Sequence, residues 1–131
     1  MKYIYTLMSI VFLSVSANAE EANKMDKFFA ALAGVESGGD ALAVNKKEKA
    51  LGIYQIRPAY FLDSNVKGNH KDVFNPKIAR KVAEAYFQRY EPKAFVKQDF
   101  ETLARLHNSG PNWKKKMKAT DGYWQKVKKN L

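Results

Sequence analysis

The sequence predicts a mainly helical α+β domain, and three observations carry that expectation. Several segments place apolar residues at three- and four-residue steps, the period of a helix with one buried face. Those segments are bounded by capping residues and prolines. Only one short run, Leu51 to Ile56, reads as a strand or extended loop. The chain has 131 residues, the size of one domain. It carries 46% hydrophobic and 13% aromatic residues, too much apolar material for a disordered basic tail.

The chain opens with Lys2, an apolar stretch from Ile4 to Val15, and Ser16-Ala17-Asn18-Ala19-Glu20. A basic start, a short apolar run and a small-x-small site form a secretory signal peptide, with removal expected after Ala19. The run is too short for the roughly 20 apolar residues of a spanning helix. The expected organisation is therefore a signal peptide at 1–19 and one domain at 20–131, periplasmic or secreted. No membrane span is expected after removal. Lys2 is the only charged side chain lost, so the formal net charge falls from +10 to +9.

Residues 24–35 read as a helix, with Met25, Phe28, Phe29, Leu32 and Val35 along one stripe. Ser37-Gly38-Gly39-Asp40 breaks it. A mixed stretch follows around the charged knot Lys46-Lys47-Glu48-Lys49. Pro58 opens a short helix over Ala59 to Asp63, and residues 64–74 are polar and turn-rich. Asn75-Pro76 starts a helix to about Tyr90, with Ile78, Val82, Ala85, Tyr86 and Arg89 on one side; Pro92 is expected to stop it. Asp99 caps a helix carrying Leu103, Leu106 and His107, which Asn108-Ser109-Gly110-Pro111 ends. Thr120 is expected to cap a last helix through Val127, with Tyr123 and Trp124.

Composition removes several function classes. With no cysteine the chain is not a disulfide scaffold, a cysteine zinc domain or a thiol enzyme. Only His70 and His107 are present, without carboxylates at ligand spacing, so no metal and no cofactor are expected. There is no glycine-rich phosphate loop. The positive charge calls for an anionic partner, and export argues against nucleic acid.

Glu36 is the leading catalytic candidate. It closes an apolar helix and precedes Ser37-Gly38-Gly39. A carboxyl there faces the negative end of the helix dipole and is shielded from water by apolar neighbours. Both favour the neutral acid that proton donation requires. The competing reading is an exposed Glu, with Ser37 and Gly38 as a helix cap. The run Ala50 to Pro58 has Gly52, where backbone can approach closely, and Tyr54 and Gln55 alternating with Ile53 and Ile56. On its own it also reads as an ordinary amphipathic strand. His107 alone reads as a structural histidine.

Taken in order, Glu36-Ser37-Gly38-Gly39, Ala43-Val44, Ala50-Leu51-Gly52-Ile53-Tyr54-Gln55-Ile56-x-Pro58 and Leu103 to Pro111 resemble the motifs of the lysozyme-like superfamily. The Glu-Ser pair, the Gly-x-x-Gln segment and the late Asn-x-Gly segment resemble soluble lytic transglycosylases. GIYQIRPAYFLD, ARLHNSGP and GYWQKV are similar to invertebrate-type lysozymes and their bacterial relatives. The resemblance covers residues 28–128.

The resemblance implies a lysozyme fold with a substrate cleft and cleavage of peptidoglycan between N-acetylmuramic acid and N-acetylglucosamine. Glu36 is then the general acid. Tyr54 and Gln55 line the cleft floor, Asn108 meets the sugar or the catalytic region, and Tyr123 closes the cleft. Ser37, Gly52 and His107 complete the substrate-binding set. Glu48, twelve residues beyond Glu36, is the candidate second carboxylate; its competing reading is a solvated partner of Lys46, Lys47 or Lys49. With Glu48 opposite Glu36 the chemistry is hydrolysis. With Glu36 alone the sugar closes on itself, as in a lytic transglycosylase. The expected partner is the peptidoglycan glycan strand, met by a monomer. Lys114, Lys115, Lys116, Lys118, Lys126, Lys128 and Lys129, beside Trp113 and Trp124, suit an anionic wall polymer. The alternative is a catalytically inactive wall-binding protein on the same fold. The chain departs from invertebrate-type lysozymes in lacking their cysteines.

Overall fold

Six helices and one two-residue hairpin make up the described residues of the computed structural model, which describes the backbone of residues 2–131 and the side chains of 16–131. The side chains of the apolar run Ile4 to Val15 lie outside the described set. Among the described residues no helix is long and apolar enough to cross a membrane.

Helix α1 (Lys2–Ser37) runs through both the expected cleavage site and the stripe placed at 24–35. Met25, Phe28, Phe29 and Leu32 are buried as the periodicity requires, and Val35 packs at their edge. The helix closes where Gly38 and Gly39 turn to positive φ, their N–H groups donating to Gly34 O and Ala33 O.

Strands β1 (Val44–Asn45) and β2 (Ala50–Leu51) pair antiparallel, Val44 with Leu51 and Asn45 with Ala50. Leu51 also bridges Ile56, so the run read as strand or loop is a strand end folded back through a tight turn. Gly52 makes that turn possible. Its φ is +80°, and an added Cβ would stand 2.5 Å from the Val73 carbonyl oxygen.

Helix α2 (Pro58–Ser64) begins at its proline. After a 3-10 turn at His70–Phe74, α3 (Pro76–Tyr90) starts on the Asn75 side chain, which accepts from the Lys77 N–H. The buried face of α3 is Ala79, Val82, Ala83, Tyr86 and Phe87; of the side expected, Val82 and Tyr86 are buried, and Ile78, Ala85 and Arg89 are not. The small Ala79 and Ala83 sit fully buried, while Ile78 is partly buried and Arg89 is exposed. The helix ends at Tyr90, just before Pro92, as expected, and the proline has a second part. It opens α4 (Pro92–Lys97), because a proline at the first helical position loses no internal hydrogen bond.

Asp99 caps α5 (Phe100–Ser109) as expected, accepting from Thr102 N–H. The last helix, α6 (Met117–Lys129), starts three residues before Thr120. Thr120 is not its cap but a buried residue inside it, whose hydroxyl donates back to Lys116 O and accepts from Arg105. Buried Arg105 fastens α6 to α5. Its guanidinium donates to Met117 O at 2.7 Å and Thr120 Oγ1 at 2.9 Å, and pairs with Asp121 at 3.2 Å.

The core lies where α1, α3 and α5 converge. Phe28 stacks on Phe100 with centroids 4.6 Å apart, Phe29 meets Tyr54 edge-on, and Phe87 lies against both phenylalanines. Aromatic side chains of this size each bury about 150–250 Å², which supplies the cohesion that the cysteine-free chain cannot take from disulfides.

Candidate active site

Four separate segments meet around one polar pocket of about 150 Å³, lined by Glu36, Asn45, Glu48, Gln55, Arg57, His107 and Asn108. Glu36 reaches it from the last turn of α1. Glu48 comes from the hairpin, Gln55 and Arg57 from the turn before α2, and His107 and Asn108 from the end of α5.

Each wall is held by local hydrogen bonding. Asn45 Oδ1 accepts from the N–H groups of Lys47 and Glu48, so the hairpin turn and the Glu48 backbone are fixed by one side chain. Gln55 sits at φ +53°, a left-handed conformation that costs a non-glycine residue roughly 1 kcal/mol or more. Its Nε2 donates to Ala43 O at 3.2 Å and Gly52 O at 3.0 Å, which ties the strained turn to the strand before it. Arg57 donates to Asn108 O at 3.5 Å across the pocket.

Glu36 is the least exposed of the pocket's carboxylates with a described partner. Its side chain is 19% exposed, and Oε2 lies 3.5 Å from Nε2 of His107, itself 2% exposed. The same Nε2 lies 2.9 Å from Tyr54 O, and Nδ1 lies 2.9 Å from the Tyr60 hydroxyl. Tyr123 adjoins this carboxyl. Burial, and then the nearby Glu36 charge, push its phenol well above the ordinary tyrosine range. Its hydroxyl is buried with no hydrogen-bond partner among the described residues, a position that costs free energy unless something else fills the vacant bond.

Of the residues singled out in the sequence, Glu36, Glu48, Gln55, His107 and Asn108 line the pocket together. Ser37, Gly52, Tyr54 and Tyr123 lie off its wall. The Ser37 hydroxyl donates to Ile53 O at 2.7 Å. Gly52 shapes the turn. The Tyr54 ring lies in the core against Phe29, and it is its carbonyl that bonds His107. Sequence reading passed over Asn45, Arg57 and Tyr60. Arg57 carried a signal, since it stands between the buried Ile56 and the helix-opening Pro58. Asn45 and Tyr60 carried none, because only the folded hairpin and α2 bring them to the site. Among the described residues no group of three His, Cys, Asp or Glu side chains is placed to hold a metal ion. A half-shielded carboxyl beside an imidazole in a polar pocket can pass a proton to an oxygen bound there.

Comparison with known proteins bears on the family of the chain. Lysozyme 1 of Crassostrea virginica is 31% identical over 78 residues, a stretch covering 58% of this chain and 42% of that protein. The chain thus spans under half the length of that relative. The family described as Transglycosylase SLT domain matches residues 14–129, from within α1 to the last residue of α6. The mainly helical fold with its small hairpin, the ordered motifs and a match over most of its length establish that the chain belongs to the transglycosylase SLT domain family of the lysozyme-like superfamily.

Proposed function

We propose that this protein is a muramidase, cleaving peptidoglycan between N-acetylmuramic acid and N-acetylglucosamine with Glu36 as general acid. The observation that carries the reading is the meeting of Glu36, at the end of α1, with the hairpin, the Gln55 turn and the end of α5 around one polar pocket. The family match and the likeness to Lysozyme 1 of Crassostrea virginica support the same substrate.

In this reading Glu36 protonates the glycosidic oxygen as the bond breaks, and the sugar left behind takes up positive charge at its anomeric carbon. Gln55 and Asn108 contact the glycan strand, while Tyr123 offers its vacant hydroxyl beside Glu36. The second step depends on Glu48. If Glu48 acts across the pocket, water completes a hydrolysis. If Glu36 acts alone, its carboxylate accepts a proton from a hydroxyl of the same sugar, which closes an anhydro ring. Residues 1–19 serve as the export signal, and the lysines of α6 and the turn before it meet anionic wall polymer.

The test is digestion of purified peptidoglycan, with products read by mass spectrometry. Reducing ends identify a hydrolase and anhydro ends a transglycosylase. Glu36→Gln is expected to lower either product at least about a hundredfold; undiminished turnover would refute the assignment. Binding of wall material without soluble products favours the inactive wall-binding alternative.

A further inference from the structure

His107 is held from both sides of its ring, and its neighbours decide where its proton sits. Nε2 lies 2.9 Å from the Tyr54 carbonyl oxygen and 3.5 Å from Glu36 Oε2. A carbonyl oxygen only accepts. A bare Nε2 would turn its lone pair onto the Tyr54 oxygen 2.9 Å away, so Nε2 carries the hydrogen. Nδ1 lies 2.9 Å from the hydroxyl of Tyr60.

Tyr60 is built to be a donor. Its ring is stacked on Tyr86 with centroids 3.6 Å apart and meets the His107 ring edge-on at 5.2 Å. Burial holds its phenol proton well above the ordinary tyrosine range, with Tyr86, Tyr123 and Glu36 adding to the effect. Among the described residues His107 is its one hydrogen-bond partner. A buried O–H with one available acceptor gives its hydrogen to that acceptor, which leaves Nδ1 unprotonated.

We propose that Tyr60 is a positioning residue. By donating to Nδ1 it holds His107 in the Nε2–H form, whose hydrogen goes to Tyr54 O and whose N–H edge faces Glu36 Oε2 at 3.5 Å, and so biases where the Glu36 carboxyl points in the pocket. Tyr60 does not itself line the pocket, and its hydrogen bond to the site is the one it makes to His107, which does. The chain is therefore Tyr60 O–H to His107 Nδ1 and His107 Nε2–H to Tyr54 O, with the same ring edge set against Glu36. The proposal rests on Glu36 as the acid only in what it predicts for turnover.

The experiment is long-range proton–nitrogen NMR on the full chain, simplified because only His70 and His107 contribute. His70 is identified by the signals lost in His70→Gln. The intact protein is expected to show His107 with a protonated Nε2 and a bare Nδ1. Tyr60→Phe keeps the ring stacked on Tyr86 and removes only the donor. It is expected to lose the single tautomer and to move the carboxyl carbon resonance of Glu36, itself assigned by Glu36→Gln. In turnover the same variant is expected to lose about tenfold in kcat with KM within about twofold.

A His107 protonated on Nδ1 in the intact protein overturns the proposal. So does a Tyr60→Phe variant with the tautomer and the Glu36 resonance unchanged. A merely structural Tyr60 would lower the melting temperature and leave both resonances in place. If the intact protein releases no wall fragments, the muramidase reading fails, while the two resonances still decide the role of Tyr60.

Discussion

The Ser37 hydroxyl donates to the Ile53 carbonyl at 2.7 Å, joining the end of α1 to the turn that carries Gln55. Glu36 is the preceding residue, so this bond sets the spacing between two walls of the pocket. Ser37→Ala is expected to lower unfolding free energy by about 1 kcal/mol, the usual worth of one such bond. Turnover is expected to fall by more than stability requires. Urea unfolding beside peptidoglycan digestion checks both, and unchanged turnover would leave the bond with a structural role alone.

Tyr123 poses the opposite case. Its buried hydroxyl has no partner among the described residues, and an unsatisfied buried donor costs about 1–3 kcal/mol. Tyr123→Phe is expected to leave the melting temperature unchanged or raise it, for a gain of up to about 1 kcal/mol once the small void is counted. Wall-degrading activity is expected to fall. A stability gain with full activity would show that the hydroxyl meets nothing during turnover.

Gly52 and Gly38 both have positive φ, yet substitution separates them. At Gly52 a Cβ stands 2.5 Å from Val73 O, whereas at Gly38 nothing lies within 4 Å. Gly38→Ala is expected to cost about 1 kcal/mol from backbone conformation alone. Gly52→Ala adds a backbone overlap and is expected to cost about 2 kcal/mol or more. Denaturant midpoints of the two variants, measured side by side, check the difference.

Stability is expected to fall on the alkaline side. Burial raises Tyr86 to about 12, with Tyr90 and Asp63 adding, and holds Tyr60 and Tyr123 well above their usual range. The raised groups keep their protons in the folded state after the unfolded chain has begun to lose them near pH 10. The unfolded state then binds fewer protons, so unfolding free energy declines as pH rises above that point. For Tyr86 the decline amounts to about 2 kcal/mol by pH 12. Tyr86→Phe removes that share, and chemical denaturation between pH 8 and 12 measures it.

Capping chemistry made much of the fold legible. Asn75-Pro76 and Asp99 mark helix starts where the structure has them, because the capping bond is local to the sequence. The errors arise where tertiary partners decide. Thr120 has the chemistry of a cap, but Arg105 draws its hydroxyl into the interior of α6. Ala79 and Ala83 hide the true face of α3, because their apolar character is too slight to set a pattern. At the pocket, Glu36 and Gln55 stood out through their flanking glycines. Asn45, Arg57 and Tyr60 did not, since their neighbours at the site lie up to fifty-one residues away in sequence.

Arg105 joins α5 to α6 by hydrogen bonds where a covalent cross-link could have stood. Nothing in that junction can be reduced, reshuffled or mispaired. With no cysteine the chain needs neither a thiol oxidant nor a disulfide isomerase to reach its fold, and reductants find no disulfide in it to break. Its assembly is thereby independent of the thiol chemistry on either side of the membrane that its leader is expected to cross.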